Sequence, residues 1–275
     1  MKMKRLLFTL AVVTLCCLTF FSVTLQQPKP SSAMMEQVGR LKAKGISLTD
    51  YHIHIRGGMT PEKAFDWMKQ TGIRSGVLEN AGKDWPLSDN VKIKTFIDDA
   101  RKFPELLVGL QVNDRDWFKT ITSDLRAKLD YILADPMIMD GQKLWLENEY
   151  KIDDENAWLE KYFNHCMTVV NEPITIFANP TYLPNRLVRR YDDFWTKERM
   201  TKFIEAAVKN NVALEIQAGT NFPNKMFIEL AIEKGAKITI GRNNSDDRVN
   251  ELKRSLDWLE ELNVKPSNML DLKRQ

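Results

Sequence analysis

Histidine and cysteine are the scarce residues of this chain, three of each among 275. Two of the histidines, His52 and His54, fall in one short stretch, so a metal site built on them must draw its remaining ligands from other residue types. Two of the cysteines, Cys16 and Cys17, lie in an apolar N-terminal run. Cys166 alone lies beyond it, and a lone cysteine excludes an intrachain disulfide. An excess of one charge is missing as well. The formal net charge is +3, and Lys2, Lys4 and Arg5 supply that much ahead of Gln26. A chain near neutrality beyond its leader excludes nucleic acid as the expected partner. No internal repeat is visible, and no low-complexity tract beyond residues 26–33.

The N-terminus has the layout of a secretory signal peptide: a basic start to Arg5, an uncharged apolar run from Leu6 to Phe21, then polar Gln26, Gln27 and Lys29. Residues 1–26 are therefore expected to export the chain to the periplasm or the outside of the cell. The run is short for a membrane span of about 20 residues, and an uncleaved N-terminal anchor is the alternative. Cys16 and Cys17 raise a lipoprotein, although Leu15 stands where a small residue is expected. No other membrane contact is expected. Residues 27–45 read as a linker with an N-terminal helix, and 46–275 as one domain.

From Ile46 onward, short apolar runs alternate with longer amphipathic segments. The runs predict strands at 47–55, 75–80, 106–113, 130–135, 174–179, 213–218 and 237–243. The segments between and after them predict helices at 62–71, 89–103, 115–128, 155–170, 196–210, 223–234 and 246–262. Thr60-Pro61-Glu62 is a helix start, and Ser245-Asp246-Asp247 another. Seven β-then-α units predict an α/β fold closed into a TIM-like barrel, with a doubly wound open sheet as the alternative. Two connections are long, Met137–Asp154 and Thr181–Trp195, and loops of that length are expected to rise over a site.

Every predicted strand ends in polar residues, and barrels carry their chemistry at that end. The tips supply His52 and His54, Glu79 and Asn80, Gln111 and Asn113, Asp135, Asn179, Glu215 and Gln217, then Arg242, Asn243 and Asn244. Period-two alternation puts His52 with His54 on one face, with Asp50 and Arg56 continuing it. Buried polar groups need partners, so the tips either close the barrel as a mutual hydrogen-bond ring or form a site.

In this order and spacing the chain resembles the PHP family, named for polymerase-associated and histidinol phosphatase domains, over roughly residues 47–270. The resemblance rests on His52-x-His54, Thr60-Pro61-Glu62, Leu107-Val-Gly-Leu-Gln-Val112, Asp130-Tyr-Ile-Leu-Ala134, Asn179-Pro-Thr181, Ala213-Leu-Glu-Ile216 and Lys237-Ile-Thr-Ile-Gly241. It implies a distorted seven-stranded barrel that hydrolyses phosphoesters with two or three metal ions. His52 and His54 match the family's first metal motif. Elsewhere the match fails: Glu79-Asn80 stands where the family has Asp-His, and Gln111 where it has a bridging Glu. Asp135 lies near a missing histidine, Asn179 replaces another, and Asn243-x-Ser245 replaces the closing Asp-x-His. Amides are poor ligands for metals that prefer imidazole or carboxylate, so the full cluster is not expected.

Two functions remain open. In the first the chain is a secreted hydrolase of a phosphoester or carbohydrate-derived substrate. One divalent ion (Zn, Mn or Fe) sits on His52, His54 and Asp135, with Glu79 or Glu215 as general base. Arg186, Arg189, Arg190 and Arg242 could then steady an anionic group. In the second the chain is a metal-free pseudoenzyme or binding protein for a polar ligand such as a sugar. Asn80, Gln111, Asn113, Asn179, Gln217, Asn243 and Asn244 would line that site, with Trp85, Tyr182 and Trp195 stacking on the ligand. The partner in either case is a small molecule, and the sequence is silent on oligomeric state.

Overall fold

The structure is a computed structural model that describes residues 29–244, 246 and 252–274. The leader therefore lies outside the described residues, as do Ser245 and Asp247 of the expected last helix start. No described helix is long and apolar enough to cross a membrane.

Seven parallel strands close into a barrel. They are β1 (Thr49–His54), β2 (Arg74–Leu78, carried on by Asn80–Ala81), β3 (Leu107–Val112), β4 (Tyr131–Ala134), β5 (Ile176–Phe177), β6 (Ala213–Gln217) and β7 (Ile238–Gly241). Each strand pairs with the next in sequence, and β7 pairs back onto β1 with Asp50 opposite Ile240. The open-sheet alternative is thereby overturned.

Alternation along the strands builds two apolar layers. Leu78, Leu107, Tyr131, Leu133, Ile176 and Ala213 turn inward and fill the barrel. Val77, Val108, Ile132, Leu214, Ile238 and Ile240 turn outward beneath the helices. Glycine at 109 is required, because the Tyr131 ring lies 2.5 Å from where a Cβ would stand. Tyr131 crosses the interior edge-on to Tyr51, ring centroids 5.4 Å apart, and its hydroxyl donates to the Tyr51 carbonyl at 2.9 Å. At the floor, Leu270 and Leu272 pack on this inner cluster. There the Leu272 N–H donates to the Tyr51 hydroxyl at 3.1 Å, and that hydroxyl donates to the Leu270 carbonyl at 3.3 Å.

The strand that carries both histidines departs from simple alternation. Its register against β2 slips between Asp50 and Ile53. Tyr51 therefore joins the inner cluster while His52 and His54 still reach the mouth. Asp50, expected on the histidine face, instead holds Arg242, whose guanidinium lies over the Trp67 ring.

Six described helices cover the strands: Pro61–Thr71, Asn90–Ala100, Glu155–Val170, Lys197–Lys209, Lys225–Glu233 and Lys253–Glu261. Thr60 caps the first by accepting from the Lys63 N–H, and Gly72 ends it in the left-handed region at φ 66°. The helix expected over 115–128 is two single turns, Trp117–Thr120 and Ser123–Arg126, parted by extended Ile121 and Thr122. Ile121 is buried, and that anchoring together with two adjacent β-branched residues outweighs the helical period. The N-terminal helix Ser32–Ala43 docks on the last one through Gln37 with Asp257 and Glu260, and Arg40 with Glu260.

The two long connections are tied to each other and to the helix Glu155–Val170. Glu147 takes the Asn185 N–H and the Arg186 side chain. Glu155 pairs with Arg189 and Arg190. Those three arginines thus serve the loops, in place of the anion-binding role expected of them. Trp195 is buried among Phe163, Phe194 and Phe203 and presents no face to a ligand.

Candidate functional site at the barrel mouth

The C-terminal strand ends bring the expected residues together, nearly all of them buried. Five form a closed hydrogen-bond ring. His52 Nδ1 is 2.7 Å from Glu215 Oε1, and His52 Nε2 is 3.1 Å from Gln111 Oε1. Gln111 Nε2 donates to Asp135 Oδ2 at 2.9 Å, and Asn179 Nδ2 donates to the same oxygen at 3.3 Å. The Asn179 backbone N–H closes the circuit on Glu215 Oε2 at 3.1 Å.

The polarity of this ring fixes the state of His52. Gln111 must turn its nitrogen to Asp135, since the reverse amide would set oxygen against a carboxylate. Its oxygen then faces His52 Nε2, which must be an N–H donor. Nδ1, facing Glu215, is a donor too. This arrangement favours the protonated form of His52, bonded to Glu215 and one amide away from Asp135. Burial alone would lower its pKa, but the Glu215 charge and hydrogen bond, with Asp135 behind them, outweigh burial and raise it. Burial pushes the Asp135 carboxyl up, against the Met137 N–H and the His52 charge.

His54 is the opposite case. Neither ring nitrogen makes a hydrogen bond of normal geometry, although the Asn243 and Gln111 side chains lie beside it. Burial, then the charge of His52, holds its pKa well below the usual value, so the ring is neutral. Its centroid is 5.1 Å from that of His52, and its Nδ1 is 3.5 Å from Glu79 Oε1. Glu79 Oε1 takes the Asn80 N–H at 2.7 Å, while Oε2 is buried without a partner. Burial raises the Glu79 pKa, against the Asn80 N–H and Arg56. Arg56 reaches Asn80 Oδ1 at 2.9 Å.

The remaining expected residues split by role. Asn244 stitches β7 to β1, accepting from the His54 N–H at 2.7 Å and donating to its carbonyl at 3.1 Å. The Gln217 side chain accepts from Gly219 N–H and shapes its own loop. Asn243 takes a left-handed backbone, φ 49°, and its N–H bonds the His52 carbonyl. Arg242 gives its Nε–H to Asp50 and lies over the Trp67 ring, while its two terminal nitrogens are buried without a partner. Asn113 is 4% exposed, and its Nδ2 has no partner.

The residues present do not fit a metal on His52, His54 and Asp135. Both ring nitrogens of His52 are engaged, by Glu215 and Gln111, and Asp135 already accepts three N–H groups, from Gln111, Asn179 and Met137. Among the described residues no three His, Cys, Asp or Glu gather as a metal-holding group.

A cavity of about 590 Å³ lies beside the mouth, between the segments that follow β2, β3 and β4. It shares Ala81 and Asn113 with the strand tips, and Arg115 and His165 line it too. Sequence reasoning passed over both. The polar run Asn113-Asp-Arg-Asp116 after β3 was the available signal; His165 sits mid-helix, where nothing distinguishes it.

No family model matches the sequence, and no curated protein matches it. Among solved structures the chain is similar to a histidinol phosphate phosphatase from Lactococcus lactis, solved with zinc, L-histidinol and phosphate. Identity is 14%, with 82% of this chain and 99% of that one covered and a TM-score of 0.59. A chain in the structure of an archaeal ribonuclease P with mature tRNA is 14% identical over 79% of this chain and 83% of that one, at a TM-score of 0.45. The first likeness makes the barrel PHP-like in fold.

Proposed function

We propose that the chain is a hydrolase acting on a small polar substrate at the barrel mouth, with Glu79 as general base and no resident metal. The observation that carries this reading is the pair His54 and Glu79, both buried. The two His54 nitrogens and Glu79 Oε2 have no hydrogen-bond partner, and His54 Nδ1 lies 3.5 Å from the other carboxylate oxygen, Oε1. Every other acid of the mouth is consumed, Glu215 and Asp135 by the ring and Asp50 by Arg242. A carboxylate whose pKa burial has raised is a competent base near neutral pH. Glu79 Oε2 takes a proton from the water whose oxygen attacks the substrate. The ester or glycosidic bond breaks, and Glu79 returns the proton to the departing oxygen, with neutral His54 orienting the water by hydrogen bond. His52 supplies a fixed positive charge behind them. Glu79→Gln is expected to cut hydrolysis by at least about 100-fold, read on a panel of phosphomonoesters and glycosides with protein freed of metal by chelation. Equal rates for the two proteins would refute the role.

A metal-dependent phosphoesterase is the second reading, favoured by the unpartnered nitrogens of His54 and by the zinc-bound phosphatase of similar fold. It needs Gln111 to leave His52. Elemental analysis after purification without added metal separates the two: stoichiometric zinc, manganese or iron, lost in His52→Ala, overturns the metal-free reading. Export is likewise our inference, supported by the basic start and apolar run. A mature N-terminus between residues 22 and 33 is expected on sequencing the exported protein, and intact Met1 in the cytoplasm would end it.

A further inference from the structure

The cavity beside the mouth holds three polar atoms that the fold itself leaves unsatisfied: Asn113 Nδ2, Arg115 Nε and His165 Nε2. Unpartnered buried groups are rare in folded proteins, and three on one cavity wall call for a common explanation. Arg115 is held rigidly. It spends its other nitrogens on both oxygens of Glu172, at 3.1 and 3.2 Å, and on the carbonyls of Val112 and Asn113. Its Nε–H is thus a fixed donor. Burial keeps the His165 ring neutral, its pKa lowered to about 4, and its Nε2 has no partner. Asn113 Nδ2 is a second donor, at the tip of β3 between cavity and mouth.

The charge around these atoms narrows what they could hold. Asp84, Asp89, Asp114, Asp116 and Asp140 line the cavity against Lys83 and Arg115, so an anion such as a phosphate is disfavoured. Donors beside a neutral imidazole suit a group that both accepts and donates, and a hydroxyl does so. A volume near 590 Å³ falls in the range of small-molecule sites.

We propose that this cavity binds a neutral polyhydroxy compound, a sugar or polyol, through Asn113, Arg115 and His165, at the tips of β2 and β3. The inference deepens the hydrolase reading by giving its substrate class, and it rests on that reading only for turnover.

The test is binding to the full mature chain, observed by saturation-transfer NMR. The probes are glucose, galactose, mannose, xylose, sorbitol and myo-inositol at about 10 mM, with inorganic phosphate alongside. At least one neutral probe is expected to bind. His165→Ala should weaken it about 5- to 10-fold, the loss of one hydrogen bond. Ser88→Trp, which fills the cavity from its rim, should abolish it. Circular dichroism checks that each variant is folded. Binding that depends on His165, in a protein that hydrolyses nothing, keeps this proposal and ends the hydrolase. No binding by folded wild type, binding indifferent to both cavity variants, or phosphate binding in place of the neutral probes overturns it.

Discussion

His52 is the residue on which the mouth turns, because its charge lets Glu215 and Asp135 be buried together. Removing one partner of a buried pair costs about 3–5 kcal/mol, since the other is left charged and unpaired. His52→Ala should lose that much stability in urea denaturation, and Glu215→Gln on top of it should recover part. Additive losses would argue against the ring. His165 gives a separate reading through pH. Burial, with the Arg115 charge behind it, lowers its pKa to about 4 in the fold, against an ordinary value near 6.5. Below pH 6.5 the unfolded chain binds the proton and the folded one does not, so stability present at neutral pH is lost as pH falls towards 4. The loss is at most about 3 kcal/mol. His165→Gln should flatten the change in urea midpoint between pH 7 and 4.5; an identical slope in both proteins would contradict the assignment.

At the scale of elements, the seven strands and most helices were legible because apolar runs and amphipathic segments follow their periods closely. The slip in β1 was not: nothing in Asp50-Tyr-His-Ile-His54 distinguishes even alternation from a strand that turns Tyr51 and His52 inward together. Asp50 and Arg242 pair with each other instead of joining the ring of the site. The tips at Glu79, Gln111, Asn179 and Glu215 were legible as polar strand ends, but which of them consume one another depends on distances that no sequence pattern carries. Gly241 is the neighbouring constraint. A methyl there would collide with the Glu215 carboxylate and lie 2.7 Å from His52 Cβ. Gly241→Ala should therefore cost about 1–3 kcal/mol through overpacking and disturb the His52–Glu215 pair. Histidine ring resonances in NMR check it, and an unshifted His52 signal would count against the crowding.

For the whole molecule, the apolar interior is sealed at the end away from the mouth by the tail. Leu270 and Leu272 cover Tyr51, and Arg274 donates to the carbonyls of Phe103 and Arg101. Ending the chain at Met269 should cost at least about 2 kcal/mol, from the two leucines alone, read as a lower midpoint in urea; an unchanged midpoint would show that the floor closes without them. The pairing of β7 onto β1 has a different consequence, for the order in which the chain can fold. It joins Asp50 to Ile240, strands from opposite ends of the barrel sequence, and such topologies fold slowly because chain entropy is lost before the contact is gained. Until β7 arrives, β1 is a bare parallel edge with unpaired backbone groups, the kind of surface on which chains associate wrongly. A nascent or unfolded copy thus stays open to aggregation until nearly the last of its residues is in place, which makes slow, dilution-favoured refolding the expected behaviour of this barrel.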